Sequence, residues 1–401
     1  MKKFKKDLIM FVLVFVFIFS LTSCKVVDNN TKNSEIEDDI NKIGVIINEA
    51  SPHNTYSSLA EMIADVKETV VDVYAYSVSA TSAGSGVIIG NGDSYYYIIT
   101  NHHVISDATS FQVVTNLSDD NETYEATLIG GSPSNDIAVL AINTDKELKT
   151  ATFIKDSDTV KVGEEVVAIG NPLGILGGTV TRGIISATAR NVYIENIGYM
   201  SLLQTDASIN SGNSGGALFN TEGLLVGIVN SGYTSYEGLN FAIPANQAKT
   251  AFTSLVETYS AKNNTYGYVK GEANLGITLA ESTIYASSSL NSQVKILYAK
   301  SALTTGDAYK NNFKDYTNFA NGKYNTFYAI TKINGTAVNS IEDASTILNS
   351  VKATETLTIT YREVKYINGG MGFFGTAYYY LSGEEKDINI YLTQYVYNPT
   401  E

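Results

Sequence analysis

The sequence has one cysteine and three histidines in 401 residues. A lone thiol excludes an intramolecular disulfide, and so few nitrogen and sulfur ligands exclude a structural zinc site. Positive charge is also scarce: 27 Lys and Arg face 41 Asp and Glu, giving a formal net charge of −14. Phosphates repel such a surface, which removes non-specific nucleic-acid binding from the possible functions. The apolar run Leu8 to Phe19 is shorter than the roughly 20 residues that a bilayer-spanning helix needs, so a permanent transmembrane segment is not expected. What remains is a chain 44% apolar and 17% charged, a balance that folds. Its length predicts two domains plus a targeting segment.

Lys2, Lys3, Lys5 and Lys6 precede the apolar run, and Leu21-Thr22-Ser23-Cys24 follows it, the pattern of an export signal over residues 1–23. Leu-x-Ser-Cys at this point resembles the lipobox of bacterial lipoproteins, and that resemblance makes Cys24 the lipidation site and new N-terminus. Each buried acyl methylene contributes about 0.8 kcal/mol, so two or three acyl chains tether a protein firmly. The polar segment 24–56 is expected to be a flexible stalk holding the fold away from the lipid.

Leu59, Met62, Ile63 and Val66 recur at helical spacing. Short strands dominate after that. Gly84 to Ile89 and Tyr95 to Thr100 flank Asn91-Gly92, a hairpin signal because both residues tolerate positive φ. Further strands are expected at Ile137–Ile142, Val166–Gly170, Val180–Ala187, Gly216–Phe219 and Leu224–Val229, a spacing that indicates barrels or a sandwich. Ala248, Phe252, Leu255, Val256 and Tyr259 form a helical stripe behind Pro244. Residues 260–271, polar and glycine-containing, are expected to link this unit (57–259) to a second one at 272–397. In the second unit the pattern predicts strands at Leu275–Leu279, Val294–Tyr298, Tyr328–Ile333 and Leu357–Tyr361. It also predicts a helix over Ile341–Val351 behind the capping-box-like Ser340-x-x-Asp343. The glycine-aromatic stretch Gly369 to Tyr380 is expected to be an exposed hairpin tip.

Three motifs in the first unit carry chemistry: Thr100-Asn101-His102-His103-Val104, Asp136-Ile137-Ala138-Val139-Leu140 and Gly212-Asn213-Ser214-Gly215-Gly216. They supply an imidazole, a carboxylate and a hydroxyl. A serine hydroxyl is a weak nucleophile until an imidazole takes its proton, and the imidazole needs its tautomer fixed by a carboxylate. Glycines around the serine let the backbone turn sharply and aim N–H groups at one point. His102 and His103 are read as the end of a strand, where alternation lets only one face the serine; His102 is then a surface or barrel-side histidine.

Together these motifs resemble the HtrA (Deg) family of serine proteases, a chymotrypsin-type double six-stranded β-barrel followed by a PDZ-like α+β domain, mainly β overall. Supporting matches are Val162-Gly163-Glu164, Ala168-Ile169-Gly170-Asn171-Pro172, Gly183-Ile184-Ile185-Ser186, Gln204-Thr205-Asp206-Ala207 and Leu239 to Pro244. The resemblance implies His103 as general base, Asp136 as its orienter and Ser214 as nucleophile. It makes the backbone amides of Gly212, Asn213 and Ser214 the oxyanion hole. Ser208, six residues before the nucleophile, then lies at the base of the specificity pocket; being uncharged, it favours small or medium aliphatic residues over Lys or Arg. Ala187 to Met200 resembles a sensor loop in which Arg190 couples neighbouring subunits. Asn274-Leu275-Gly276-Ile277 resembles the PDZ loop that captures a peptide C-terminal carboxylate.

The implied protein is an extracytoplasmic, lipid-anchored endopeptidase of the bacterial envelope, a homotrimer that cleaves unfolded or damaged polypeptides and needs no cofactor. The competing readings are a regulatory protease with one dedicated client, and a chaperone or peptide-binding scaffold with little proteolysis.

Overall fold

A computed structural model describes residues 45–394 except 53–55, 79, 93–94, 116–120, 172–177, 195–197, 233–237, 260–265, 271–272, 275–276, 303–306, 311–312, 321–322, 324, 349 and 370–375. The expected signal segment with Cys24, His53, and Leu275 and Gly276 of the expected carboxylate loop lie outside the described residues. Among the described residues, no helix is long and apolar enough to cross a membrane.

Fourteen strands build the first unit: β1 Ile46–Ala50, β2 Val70–Tyr76, β3 Thr81–Asn91, β4 Tyr95–Thr100, β5 Ser110–Thr115, β6 Thr123–Ser132, β7 Ile137–Asn143, β8 Thr152–Ile154, β9 Glu165–Gly170, β10 Thr179–Ile194, β11 Gly198–Thr205, β12 Ala217–Asn220, β13 Leu224–Gly232 and β14 Asn240–Pro244. The antiparallel pairings β2-β3-β4-β7-β6-β5 return to β2 and close one six-stranded barrel. The pairings β9-β10-β11-β14-β13-β12 return to β9 and close a second. Closure removes exposed edges. Each barrel is filled from its inward faces: Val73, Ile88, Ile98, Val113 and Leu140 in the first, and Val167, Ile169, Leu203, Leu218 and Ile228 in the second, are all buried. The expected double six-stranded barrel is what the chain forms.

Helix α1, Leu59–Val66, covers the four positions whose spacing predicted it, and Ser58 caps it by accepting from Glu61 N–H. Helix α2 is the short turn His102–Ile105, and α3 is Ala245–Thr258, entered through Pro244 at its N-cap. In the apolar stripe of α3, Ala248, Phe252 and Leu255 are fully buried, and Val256 and the C-cap Tyr259 are half-buried.

Two expectations about connecting segments are corrected. The span 24–56 is not wholly a stalk, because Ile46–Ala50 within it pairs antiparallel with β3 and parallel with β8 and so bridges the two barrels. Polar composition concealed this strand; its anchor is Glu49, whose carboxylate pairs with the buried Lys249 of α3 at 2.7 Å. Nor is the linker free throughout. Gly267 N–H donates to Ile129 O at 2.7 Å, Tyr268 N–H to Thr258 Oγ1 at 2.7 Å and Lys270 N–H to Ser254 Oγ at 2.8 Å, so residues 266–270 lie along β6 and α3.

The second unit has β15 Ala273–Asn274, β16 Ile277–Tyr285, β17 Gln293–Ala302, β18 Phe327–Ile333, β19 Thr336–Ala337, β20 Thr356–Gly369, β21 Thr376–Tyr391 and β22 Thr393–Gln394. Its helices are α4 Asp307–Lys310, α5 Tyr316–Ala320 and α6 Ile341–Leu348. Six strands pair in the order β17-β16-β21-β20-β18-β19, with β17 also paired to β18. The capping box forms as expected: Asp343 N–H donates to Ser340 Oγ and Ser340 N–H to an Asp343 carboxylate oxygen. Helix α6 lies against β16 and also against β11 of the first unit.

Candidate active site

The first barrel supplies two of the three motif side chains. Asn101 closes β4 with extended backbone, and the chain then turns into α2, which carries His102 and His103. This corrects the reading of the pair as a strand end: helical geometry, not strand alternation, separates the two rings. Asp136 ends the turn that begins at Pro133 and sits at φ +48°, a left-handed conformation that aspartate tolerates better than most residues. Asn101 Nδ2 donates to Asp136 O at 2.9 Å and secures that strained residue.

Asp136 is fully buried and its carboxylate receives three donors. His103 N–H reaches Oδ1 at 2.9 Å, while His103 Nδ1 and Asn230 Nδ2 reach Oδ2 at 2.7 and 2.6 Å. A carboxylate accepts only, so the histidine proton resides on Nδ1 and Nε2 carries a lone pair. The His103 side chain is 42% exposed, on the open side of this contact. Crowding by the protein disfavours imidazolium, but the hydrogen bond and charge of Asp136 together outweigh it and raise the His103 pKa above 6.5. His102 is the reverse case, and of the two placements expected for it, surface or barrel-side, the surface one is corrected. It is buried, and burial, only partly opposed by Asp136, lowers its pKa from 6.5 to about 4.

The second barrel supplies the serine. Ser214 lies in the turn ahead of β12, between Gly212 at φ +96° and Gly215 at φ +84°. Gly215 admits no substitute, since a Cβ there would lie 2.2 Å from Ser85 O and 2.3 Å from Thr100 Oγ1. Ser85 N–H donates to Ser214 O at 2.8 Å, which seats the turn against β3 and hence against the first barrel. The Ser214 hydroxyl donates to Asn230 O at 2.8 Å rather than to the imidazole. Asn230 therefore touches both halves of the site, its carbonyl on the hydroxyl and its amide on the carboxylate that holds the histidine. Sequence reasoning missed it: a single asparagine in Gly227-Ile228-Val229-Asn230 carries no motif, and its partner lies 94 residues away.

The three turn amides differ. Asn213 N–H is spent on Asn210 O at 3.0 Å, whereas the N–H groups of Gly212 and Ser214 donate to no acceptor among the described residues. Ser208 is exposed in the segment between β11 and this turn, with its carbonyl accepting from Thr181 Oγ1 at 2.8 Å. Asp206 instead accepts from Ile184 N–H at 2.7 Å, a structural bond. Arg190 lies within β10, its Nε on Gln204 Oε1 at 3.1 Å, so the expected sensor loop is largely a two-stranded hairpin over the described residues. Asn274 pairs with Thr393 in the short β15–β22 ladder, and Ile277 opens β16.

Two closed barrels, with a histidine–aspartate pair from one and a glycine-bounded serine from the other, define a serine endopeptidase of the trypsin-like class. Residues 84–228 match the trypsin-like peptidase domain. The chain is 36% identical over 293 residues to the serine protease Do-like HtrA of Lactococcus lactis subsp. cremoris, covering 70% of this chain and 68% of that one. It is 40% identical over 245 residues to the periplasmic serine endoprotease DegP of Escherichia coli, covering 59% of this chain and 50% of that one. It belongs to the HtrA family of serine proteases.

Among solved structures, the serine endoprotease from Yersinia pestis superposes with a TM-score of 0.51 at 28% identity, covering 85% of this chain and all of that one. The HtrA-type protease AlgW with decapeptide shares the fold at a TM-score of 0.52 and 24% identity, covering 84% of this chain and 99% of that one. The chain spans about two thirds of the lactococcal relative and half of DegP.

Proposed function

We propose that the chain hydrolyses peptide bonds through His103, Asp136 and Ser214. The observation that carries this reading is the continuous hydrogen-bond path from the His103 ring through Asp136 and Asn230 to the Ser214 hydroxyl. In the reaction the Ser214 proton leaves Asn230 O and passes to His103 Nε2, while Oγ attacks the scissile carbonyl. The imidazolium, stabilised by Asp136, gives that proton to the departing amine, and water then releases the acyl group by the same route. The Gly212 and Ser214 N–H groups stabilise the oxyanion, each worth ~10²-fold or more in rate. Asn213 is left out of the hole because its N–H closes the turn. Ser208 at the pocket base favours small aliphatic residues.

The natural substrates in this reading are unfolded or damaged polypeptides, met outside the cytoplasm by a protein tethered through Cys24. The second unit acts as a PDZ domain in the same reading: among the described residues β16 pairs only at Tyr285 on the side away from β17, which leaves an edge beside α6 for an added peptide strand. In the same reading the chain assembles as a trimer, with Arg190 at the contact between subunits, by resemblance to the HtrA family. Casein digestion by the wild type and by Ser214→Ala tests the central claim. Turnover is expected to fall by order ~10⁶, as loss of a triad member can cause; equal digestion would leave the scaffold reading in its place.

A further inference from the structure

Ser85 of β3 is completely buried; three of its hydrogen bonds run to the segments that carry Ser214 and His103, and a fourth to Asn171 at the end of β9. Its N–H donates to Ser214 O at 2.8 Å. Its carbonyl accepts from Thr100 Oγ1 at 2.7 Å, at the base of the turn leading to His103. Its hydroxyl accepts from Asn171 N–H at 2.8 Å and donates to Gly212 O at 2.8 Å. The direction of this last pair is fixed. An amide only donates and a carbonyl only accepts, so the hydroxyl proton must point at Gly212.

Gly212 needs such a partner. At φ +96° it holds a conformation that glycine enters and leaves without a side-chain barrier, so nothing in the residue itself fixes the orientation of its peptide groups. The Gly212 carbonyl shares a rigid plane with the Asn213 N–H, and pinning the oxygen sets that plane. Asn213 N–H reaches Asn210 O at 3.0 Å, and the N–H groups of Gly212 and Ser214 on either side of it donate to no acceptor among the described residues. Gly170 leaves the space this hydroxyl needs, since a Cβ there would lie 2.9 Å from it.

We propose that Ser85 is a positioning residue for the oxyanion turn, its hydroxyl relaying the backbone at Asn171, where the chain leaves β9, to the carbonyl of Gly212. This rests on the protease reading above and adds a residue that touches neither substrate nor reacting atoms.

The test compares the full-length wild type with Ser85→Ala, Ser85→Thr and Ser85→Val, each shown by melting to be folded at the assay temperature. A fluorogenic peptide gives kcat and KM, and a peptidyl boronic acid reports on the hole because its tetrahedral adduct places an oxygen there. Ser85→Ala is expected to lower kcat roughly 10- to 100-fold with KM held within about threefold, and boronate affinity falls in parallel. Threonine keeps the hydroxyl and most of the activity; valine, of the same shape, loses it. Should Ser85→Ala not stay folded, the threonine–valine pair decides alone. Unchanged kcat in Ser85→Ala, a loss of kcat without loss of boronate affinity, or equal activity in the threonine and valine variants overturns the proposal. A wild type that neither cleaves peptide nor takes a fluorophosphonate on Ser214 instead sinks the protease reading itself.

Discussion

At the scale of single residues, the two adjacent histidines show how environment divides one side-chain type into two behaviours. His103 faces the cleft with its Nδ1 on Asp136, and its pKa is raised. A general base works only when neutral, so kcat/KM should fall on the acid side of an inflection above 6.5, tenfold per pH unit. Asp136→Asn removes what raises that pKa and leaves the burial that lowers it. The acid limb should move to lower pH while the plateau kcat drops by roughly 10⁴.

His102 bears on stability instead. Its folded pKa of about 4 lies below the ordinary 6.5, so between these values the unfolded chain binds the extra proton and acid favours unfolding. As pH falls through that window the shift costs roughly 3 kcal/mol of stability. His102→Gln, which cannot charge, should show a smaller loss of stability between pH 6.5 and 4 than the wild type in urea titrations. An unchanged pH dependence would contradict the buried, neutral imidazole.

At the scale of elements, local patterns were legible and long-range pairings were not. The stripe Leu59–Val66 and the helix behind Pro244 could be read because their period and caps are written in neighbouring residues. β2, with sequence VVDVYAY, shows little alternation because most of its residues are buried, and it was not singled out. β1 reads as stalk from its own residues, since what makes it a strand is β3, β8 and Lys249, all distant in sequence. The Lys249 side chain is 1% exposed, its Nζ on Glu49 at 2.7 Å and on Lys155 O at 3.0 Å. Removing one partner of a buried ion pair leaves the other uncompensated, so Lys249→Met should destabilise the first unit by about 3–5 kcal/mol in urea unfolding. A change under about 1 kcal/mol would mean that the pair behaves like an exposed one.

At the scale of the whole molecule, the site exists only because two barrels meet. Each motif was readable alone, since glycine at positive φ, a left-handed aspartate and an imidazole near a strand end leave local traces. Asn230 and Ser85 were not, because their roles consist of bonds between segments 15 to 129 residues apart. Between the two units, α6 rests on β11, whose neighbour β10 carries Arg190, so a peptide bound beside α6 as proposed would have a physical route to the second barrel.

The most direct measurement treats the intact chain with a fluorophosphonate and locates the adduct by peptide mass spectrometry, with His103→Ala in parallel. Phosphonylation of Ser214 in the wild type, abolished or slowed by orders of magnitude in the variant, is the result predicted. Labelling that ignores the loss of His103, or an adduct on some other hydroxyl while Ser214 stays free, would contradict the account.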